Sequence, residues 1–109
     1  MKKIVIIGGG AAGLMAAYSA ALKYGRNALI TVVEKNERPA RKVMITGKGR
    51  CNLTNNCEID TLIANVPQNG KFLFSAFSGF SSADTMRLFE SFGVPLKTER
   101  GNRVFPVSD

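Results

Sequence analysis

The hydrophobic pattern at the N-terminus predicts a strand, a helix and a second strand in that order. Lys3 to Ile7 is a β-branched run with polar residues only at its start, which is typical of a strand buried on both faces. Residues 11–24 are rich in helix-forming alanine and leucine, and Gly25 follows where a left-handed residue often ends a helix. Leu29 to Val33 is a second apolar run, closed by Glu34. Strands joined by such a crossover are parallel in nearly all cases.

The rest of the pattern predicts a long loop, two helices and a β-hairpin. Residues 35–57 show no periodicity and contain many Gly, Asn, Thr and basic residues, so we expect a loop with a functional role. Residues 71–80 and 83–92 place phenylalanines at helical spacing, which favours a core position for these rings. Residues 96–99 and 103–107 flank a Gly-Asn turn and predict the hairpin.

The second predicted helix has a recognisable start. Ser81 is followed three residues later by Asp84, a spacing typical of a capping box, and Ser82 is the other cap candidate.

Length and composition indicate a soluble globular class. A chain of 109 residues, 45% hydrophobic and 21% charged, forms one domain at most and neither a disordered nor a membrane protein. We therefore expect a cytoplasmic protein that does not enter the membrane. There is no histidine, and Cys51 and Cys57 alone cannot form a zinc site, so we expect no metal and two free thiols.

The net charge of +7 indicates a polyanionic partner or a phosphorylated ligand. Six basic residues fall within the sixteen residues from 35 to 50, where only Glu37 opposes them. A solvated face and a phosphate-binding loop are both consistent with this run. A nucleic-acid-binding module is the alternative from another class, although the loop has few aromatic residues on which bases would stack.

A glycine motif follows the first predicted strand and opens the predicted helix. Gly8, Gly10 and Gly13 have the G-x-G-x-x-G spacing of a dinucleotide-binding fingerprint in its required context. In that fingerprint the first glycine permits a tight turn, the second lets a pyrophosphate approach the backbone, and the third lets helix and strand pack closely. We expect the free amides at the helix start, including those of Ala11 and Ala12, to hold the pyrophosphate.

Glu34 ends the second predicted strand, 21 residues after Gly13, where the fingerprint places an acid that binds the adenosine ribose. A 2′-phosphate would meet like charge there, so NADP is disfavoured at this site. FAD and NAD share the adenosine half, and a non-catalytic NAD-binding domain therefore stays open as a third hypothesis. The basic loop that starts at Lys35 favours FAD, because cationic donors beside a pyrophosphate bind phosphate or flavin oxygens.

Residues 41–55 carry a longer signature, R-K-V-M-I-T-G-K-G-R-C-N-L-T-N. With the glycine motif, Glu34 and the later run of residues 99–106, it resembles the bacterial YhiN/BaiN-like family of NAD(P)/FAD-dependent oxidoreductases over essentially the whole chain. The resemblance implies that the signature loop runs along the pyrophosphate toward the flavin. The residues that match it are Arg41, Lys42, Thr46, Gly47, Gly49, Arg50, Cys51 and Asn52.

The resemblance also implies a fold and an activity. We expect an α/β, Rossmann-like FAD/NAD(P)-binding βαβ unit, with residues 1–109 forming the N-terminal part of the domain. By the same resemblance, we expect an inserted substrate domain and a C-terminal FAD segment that these residues do not include. Members of the family are similar to enzymes that reduce activated C=C bonds or oxidise small amines. We therefore expect FAD as cofactor, NAD(P)H as a candidate electron donor, a small-molecule substrate bound through the missing segments, and no activity from these residues alone.

Overall fold

The computed structural model describes residues 1–45 and 47–108, and it divides into two compact units, Met1–Gly49 and Arg50–Asp109. Thr46, which the signature places in the binding loop, lies outside the described residues. Within the described ranges no helix is long and apolar enough to cross a bilayer, since the longest has 14 residues.

The first unit is the predicted strand–helix–strand. Strand β1 spans Lys2–Ile7, helix α1 spans Ala11–Tyr24 and strand β2 spans Ala28–Val33. The two strands pair in parallel over their full lengths. Gly25 ends α1 with a φ of 52°, a conformation that favours glycine. The predicted α/β unit is therefore confirmed.

The two faces of this sheet differ in exposure. Ile4 and Ile6 are half-buried on the face where α1 packs, and Gly13 of α1 approaches the Ile6 side chain. On the other face Val5 is 62% and Ile7 80% exposed. The expectation that β1 is buried on both faces is wrong for this chain, because α1 supplies a single covering layer among the described residues of the unit.

The predicted loop after β2 is partly ordered into short turns. Helix α2 spans Arg41–Ile45, and a left-handed turn follows at Gly47–Gly49 with φ values of 68°, 52° and 86°. In the second unit, strand β3 spans Thr54–Asn55 and helix α3 spans Ile59–Ala64. The prediction of an unbroken loop over residues 35–57 is therefore wrong. Helices this short are unstable in isolation. The Ala40 amide, just before α2, donates to the Gly9 carbonyl, and Thr54 and Asn55 are held by pairing with the hairpin.

The second unit carries the two predicted helices and the hairpin. A 3₁₀ turn at Gly70–Leu73 leads into helix α4, Phe74–Gly79, and helix α5 spans Ser82–Ser91. Strands β4, Leu96–Glu99, and β5, Arg103–Pro106, form the antiparallel hairpin, and β3 pairs with the other edge of β5.

The start of α5 is the predicted capping box. The Ser81 hydroxyl accepts from the Asp84 amide at 3.2 Å, and the Asp84 carboxylate accepts from the Ser81 amide at 2.9 Å. The bond from the Ser81 amide, followed by that from the Arg87 side chain, holds the pKa of Asp84 below its ordinary value. Ser82 is not the cap but lies buried, with its hydroxyl 3.5 Å from that of Thr54.

The buried apolar residues of this unit are on the hairpin. Val104 is fully buried and Phe105 is 3% exposed, whereas Phe77 and Phe89 are half-buried and Phe92 is 54% exposed. The prediction that the helical phenylalanines form the core is therefore wrong for this chain. Their rings keep part or most of their surface exposed, so they lie at the periphery of the unit rather than in its core.

Candidate functional site

A cleft of about 630 Å³ opens in the first unit where β1 and β2 end. The crevice at the carboxyl ends of parallel strands is the usual ligand site of open α/β sheets, and this volume is within the range of small-molecule pockets. Its lining joins the glycine turn, the end of β2 and the start of the basic loop: Ile7, Gly8, Gly9, Gly10, Val33, Glu34, Lys35, Asn36, Ala40, Arg41, Lys42 and Ile45.

The glycine turn is tight, and the backbone conformation or contacts within the protein require glycine at two of its positions. Gly8 has a φ of 101°, a backbone conformation that L-residues rarely adopt, and its amide donates to the Val33 carbonyl at 2.8 Å. A Cβ on Gly13 would lie 1.9 Å from the Gly8 carbonyl oxygen. Gly13 is therefore required for the close approach of α1 to the turn, as the fingerprint predicts.

Neither backbone conformation nor a contact within the protein requires glycine at position 10. Its φ of −82° suits any residue, and a Cβ there would have no protein atom within 4 Å. Gly10 lines the cleft, so the open space beside it lies within the cleft. A group bound against this backbone would occupy the space that a side chain would fill, which fits close approach of a pyrophosphate.

The first turn of α1 presents free backbone donors. Gly10 caps the helix without a side-chain hydrogen bond, and the first helical bond runs from the Leu14 amide to the Gly10 carbonyl at 2.9 Å. The amides of Ala11, Ala12 and Gly13 therefore have no acceptor within the helix. No acidic residue lies in this turn, so its partial positive charge is available to an anion.

Glu34 is held at both carboxylate oxygens. Oε1 accepts from the Gly9 amide and Oε2 from the Asn36 amide, each at 2.8 Å. These two bonds, that from Asn36 first, hold the pKa of Glu34 below its ordinary value, so the side chain is ionised at neutral pH. A carboxylate oxygen has two lone pairs, and each oxygen can accept a second hydrogen bond from a hydroxyl group.

Cationic side chains line the cleft beside this acid. Lys35, Arg41 and Lys42 belong to the lining, and Arg41 Nη1 is 3.5 Å from Asn36 Oδ1. Lys35 and Arg41 also line an adjacent hollow of about 410 Å³ that includes Arg38. These cations line the same cleft as Gly10, the residue that caps α1, which suits a diphosphate. The predicted site residues Ala11, Ala12 and Gly13 follow Gly10 on α1 and are not among the lining residues.

The remaining signature residues lie elsewhere in the chain. Gly47 and Gly49 form the left-handed turn after α2, outside the described lining of the cleft. Cys51 and Asn52 are exposed in the second unit, and Cys51, like Cys57, is a free thiol as expected. Their roles toward a cofactor stay predictions.

Arg50 has a partner within the second unit. Its guanidinium donates to both carboxylate oxygens of Glu99, at 3.1 and 2.8 Å, and lies 3.8 Å from the centre of the Phe105 ring. Hydrogen bonding by Arg50 is the main cause that lowers the pKa of Glu99. The role of Arg50 as a cofactor ligand stays a prediction, whereas its hold on Glu99 is observed.

Sequence reasoning missed several residues of the site. Gly9 and Asn36 bind Glu34, and the Ala40 amide donates to the Gly9 carbonyl at 2.7 Å. The run of three glycines was a signal for Gly9, since the fingerprint requires only two of them. Backbone contacts of Asn36 and Ala40 leave no signal in side-chain identity.

Comparison with known proteins gives a family match over nearly the whole chain. The sequence model described as the HI0933-like protein Rossmann domain matches residues 2–109. The match confirms the family resemblance indicated by the glycine motif and the signature loop.

Three curated relatives are between 33% and 37% identical to the chain over the aligned residues. A 3-dehydro-bile acid delta(4,6)-reductase of Clostridium scindens is 37% identical over 109 residues, which is 100% of this chain and 26% of the relative. A ribosomal RNA dihydrouridine synthase of Escherichia coli is 34% identical over 90 residues, 83% of this chain and 21% of the relative. The Haemophilus influenzae protein of that name is 33% identical over 101 residues, 93% of this chain and 24% of the relative. The chain thus spans about a quarter of the length of these relatives.

Proposed function

The chain belongs to the HI0933-like Rossmann-domain family, and on that premise we propose that its first unit binds the ADP half of FAD. The observation that carries the proposal is a cleft that both Gly10 and Glu34 line, with Gly10 at the N-terminus of α1. Its three features are the open backbone at Gly10, the α1 amides that follow Gly10 without an acceptor in the helix, and a Glu34 carboxylate fixed in its ionised form.

Each feature suits a different part of the ligand. The amides of α1 and the backbone at Gly10 would hold the pyrophosphate, with Lys35, Arg41 and Lys42 supplying positive charge. Glu34 would accept hydrogen bonds from the ribose hydroxyls. By resemblance to the family, the signature residues Thr46, Gly47, Gly49, Arg50, Cys51 and Asn52 would extend along the cofactor toward the flavin.

The chemistry proposed for a longer protein of this family is reduction of a C=C bond. The names of the relatives, a delta(4,6)-reductase of a 3-dehydro-bile acid and a dihydrouridine synthase, both describe saturation of such a bond in a carbonyl-bearing ring. Once reduced, bound FAD would supply the hydride for this reaction and the second hydrogen would arrive as a proton, while the protein would bind and orient the cofactor. NAD(P)H is the proposed source of the electrons.

The two names differ in the molecule that contains the reduced C=C bond. One names a bile acid and the other ribosomal RNA, so a small molecule and a nucleic acid are both candidate substrates. Since this chain spans about a quarter of each relative, substrate contacts are proposed for the longer protein rather than for these residues.

The test compares FAD binding by the chain and by two glycine variants. In Gly10→Val a branched side chain fills the open space beside the pyrophosphate position, and we expect FAD affinity to fall more than about tenfold. Gly79→Val is the matched control, because a Cβ at Gly79 also has no atom within 4 Å and the residue lies on α4 in the second unit. Equal FAD affinity for the chain and Gly10→Val would refute the proposed site.

A further inference from the structure

Gly9, the unspecified position between Gly8 and Gly10 of the fingerprint, uses both of its backbone groups. Its amide donates to Glu34 Oε1 at 2.8 Å, and its carbonyl accepts from the Ala40 amide at 2.7 Å. Among the described residues of the first unit, Gly9 is the one that is buried. It therefore joins the glycine turn to the end of β2 and to the segment that leads into α2.

Crowding, rather than backbone conformation, favours glycine at this position. The φ of Gly9 lies outside the left-handed region, so another residue could adopt its backbone. A Cβ on Gly9 would lie 3.1 Å from Pro39 Cβ and 3.3 Å from both Cβ and Oε1 of Glu34. Both Pro39 and Glu34 would have to move by a few tenths of an ångström to admit it.

The segment that Gly9 holds is itself under strain. Ala40 has a φ of 60°, a left-handed conformation that is uncommon for residues other than glycine, asparagine and aspartate. Its amide nevertheless reaches the Gly9 carbonyl, and Pro39 precedes it against the Gly9 backbone. The bond to Gly9 thus fixes a turn that the Ala40 side chain alone would not favour.

We propose that Gly9 is a positioning residue that sets the Glu34 carboxylate to recognise the 2′-hydroxyl of a nucleotide ribose. The inference rests on the proposed binding of the ADP half of FAD. A free glutamate side chain rotates about three bonds, whereas Glu34 is anchored at each oxygen by a backbone amide. The lone pairs left on these oxygens then have fixed directions, and Gly9 and Glu34 both line the cleft.

The experiment measures the affinity of the full chain for FAD and for an FAD analogue that carries 2′-deoxyadenosine. Loss of one hydrogen bond to a charged group should make the chain prefer FAD by roughly tenfold. In Gly9→Ala we expect the FAD Kd to rise about tenfold and the analogue's Kd to change less than about twofold. Pro39→Gly removes the Cβ nearest to the added methyl, so the double variant should regain part of the preference.

Two outcomes would overturn this role. An equal loss of affinity for both ligands in Gly9→Ala would show a general structural effect. Retention of the full preference for FAD would show that the Gly9 contact does not set the carboxylate. Failure of the unaltered chain to bind FAD would instead contradict the proposed function itself.

A measurement without substitution covers the case in which Gly9→Ala does not fold. In the unaltered chain, the NMR shift of the Gly9 amide should titrate with the Glu34 carboxyl, at an apparent pKa below the ordinary 4.5. FAD should change that shift more than the 2′-deoxy analogue does. A Gly9 amide that is insensitive to acid pH, or that responds equally to both ligands, would overturn the proposal.

Discussion

Arg50 and Glu99, 49 residues apart in sequence, form a two-pronged ion pair in which each guanidinium nitrogen donates to a different carboxylate oxygen. The same guanidinium stacks on Phe105, one of the two buried apolar residues described in the second unit. Lys97 Nζ also lies 3.3 Å from Glu99 Oε2. The ion pair with Glu99 and the contact with the Phe105 ring thereby hold Arg50, the first residue of this unit, against its hairpin.

Replacing Arg50 by lysine should destabilise the second unit although the charge is kept. Lysine has a single ammonium group, which can neither bridge both oxygens of Glu99 nor stack flat on Phe105. We expect Arg50→Lys to lower the Tm of the chain by about 3 °C in thermal denaturation. Arg100→Lys, on the exposed turn of the hairpin, is the control, and an equal Tm change in both variants would contradict a special role for Arg50.

The Glu99 contact should also make stability depend on pH. Arg50 lowers the pKa of Glu99 in the folded chain below the ordinary value of 4.5. A lowered native pKa stabilises the fold above about pH 4.5, and this contribution is lost as the pH falls through the native value. Glu99→Gln should therefore be less stable than the unaltered chain at pH 7, with the difference shrinking at pH 3.

Urea denaturation at the two pH values measures this difference. Glu90→Gln, on the exposed side of α5, serves as the control for removing a carboxylate. If Glu99→Gln lowered the free energy of unfolding by the same amount at pH 3 and at pH 7, the ion pair would not be the cause of the loss.

Gly13→Ala should disrupt the glycine turn itself. The new Cβ would meet the Gly8 carbonyl oxygen at 1.9 Å, so α1 must move away from the turn. Overpacking of this kind costs about 1–3 kcal/mol in the free energy of unfolding. The control is Gly79→Ala, where the added methyl has open space, and denaturation that is unchanged in both variants would contradict the close helix approach.

The sequence predicted the first unit well because its signals are local. Glycines at 10 and 25 bound α1, and β-branched runs fix β1 and β2, so the observed elements match the predicted ones within a residue. The Ser81 cap is likewise a contact over three residues. Such features depend on backbone preferences that residue identity alone conveys.

Other features depend on distant contacts and left no local signal. Helices α2 and α3, of five and six residues, are too short for periodicity to reveal. The pairing of Arg50 with Glu99 is not contained in the spacing of either residue. The phenylalanines of the two predicted helices were assigned to a core because they recur at helical spacing. Spacing does not show whether other residues cover their rings.

The most direct test of the central claim is an equilibrium titration of the purified chain with FAD and with NAD, at about 50 mM and 200 mM salt. A preformed site with a fixed Glu34 and uncapped α1 amides predicts that the dinucleotide keeps most of its affinity at the higher salt. The basic loop that starts at Lys35 and the family membership predict that FAD binds more tightly than NAD. A basic surface that merely attracts polyanions loses orders of magnitude in affinity over this range and binds RNA in place of FAD. That second result, or equal binding of NAD and FAD, would contradict the assignment of this unit to FAD.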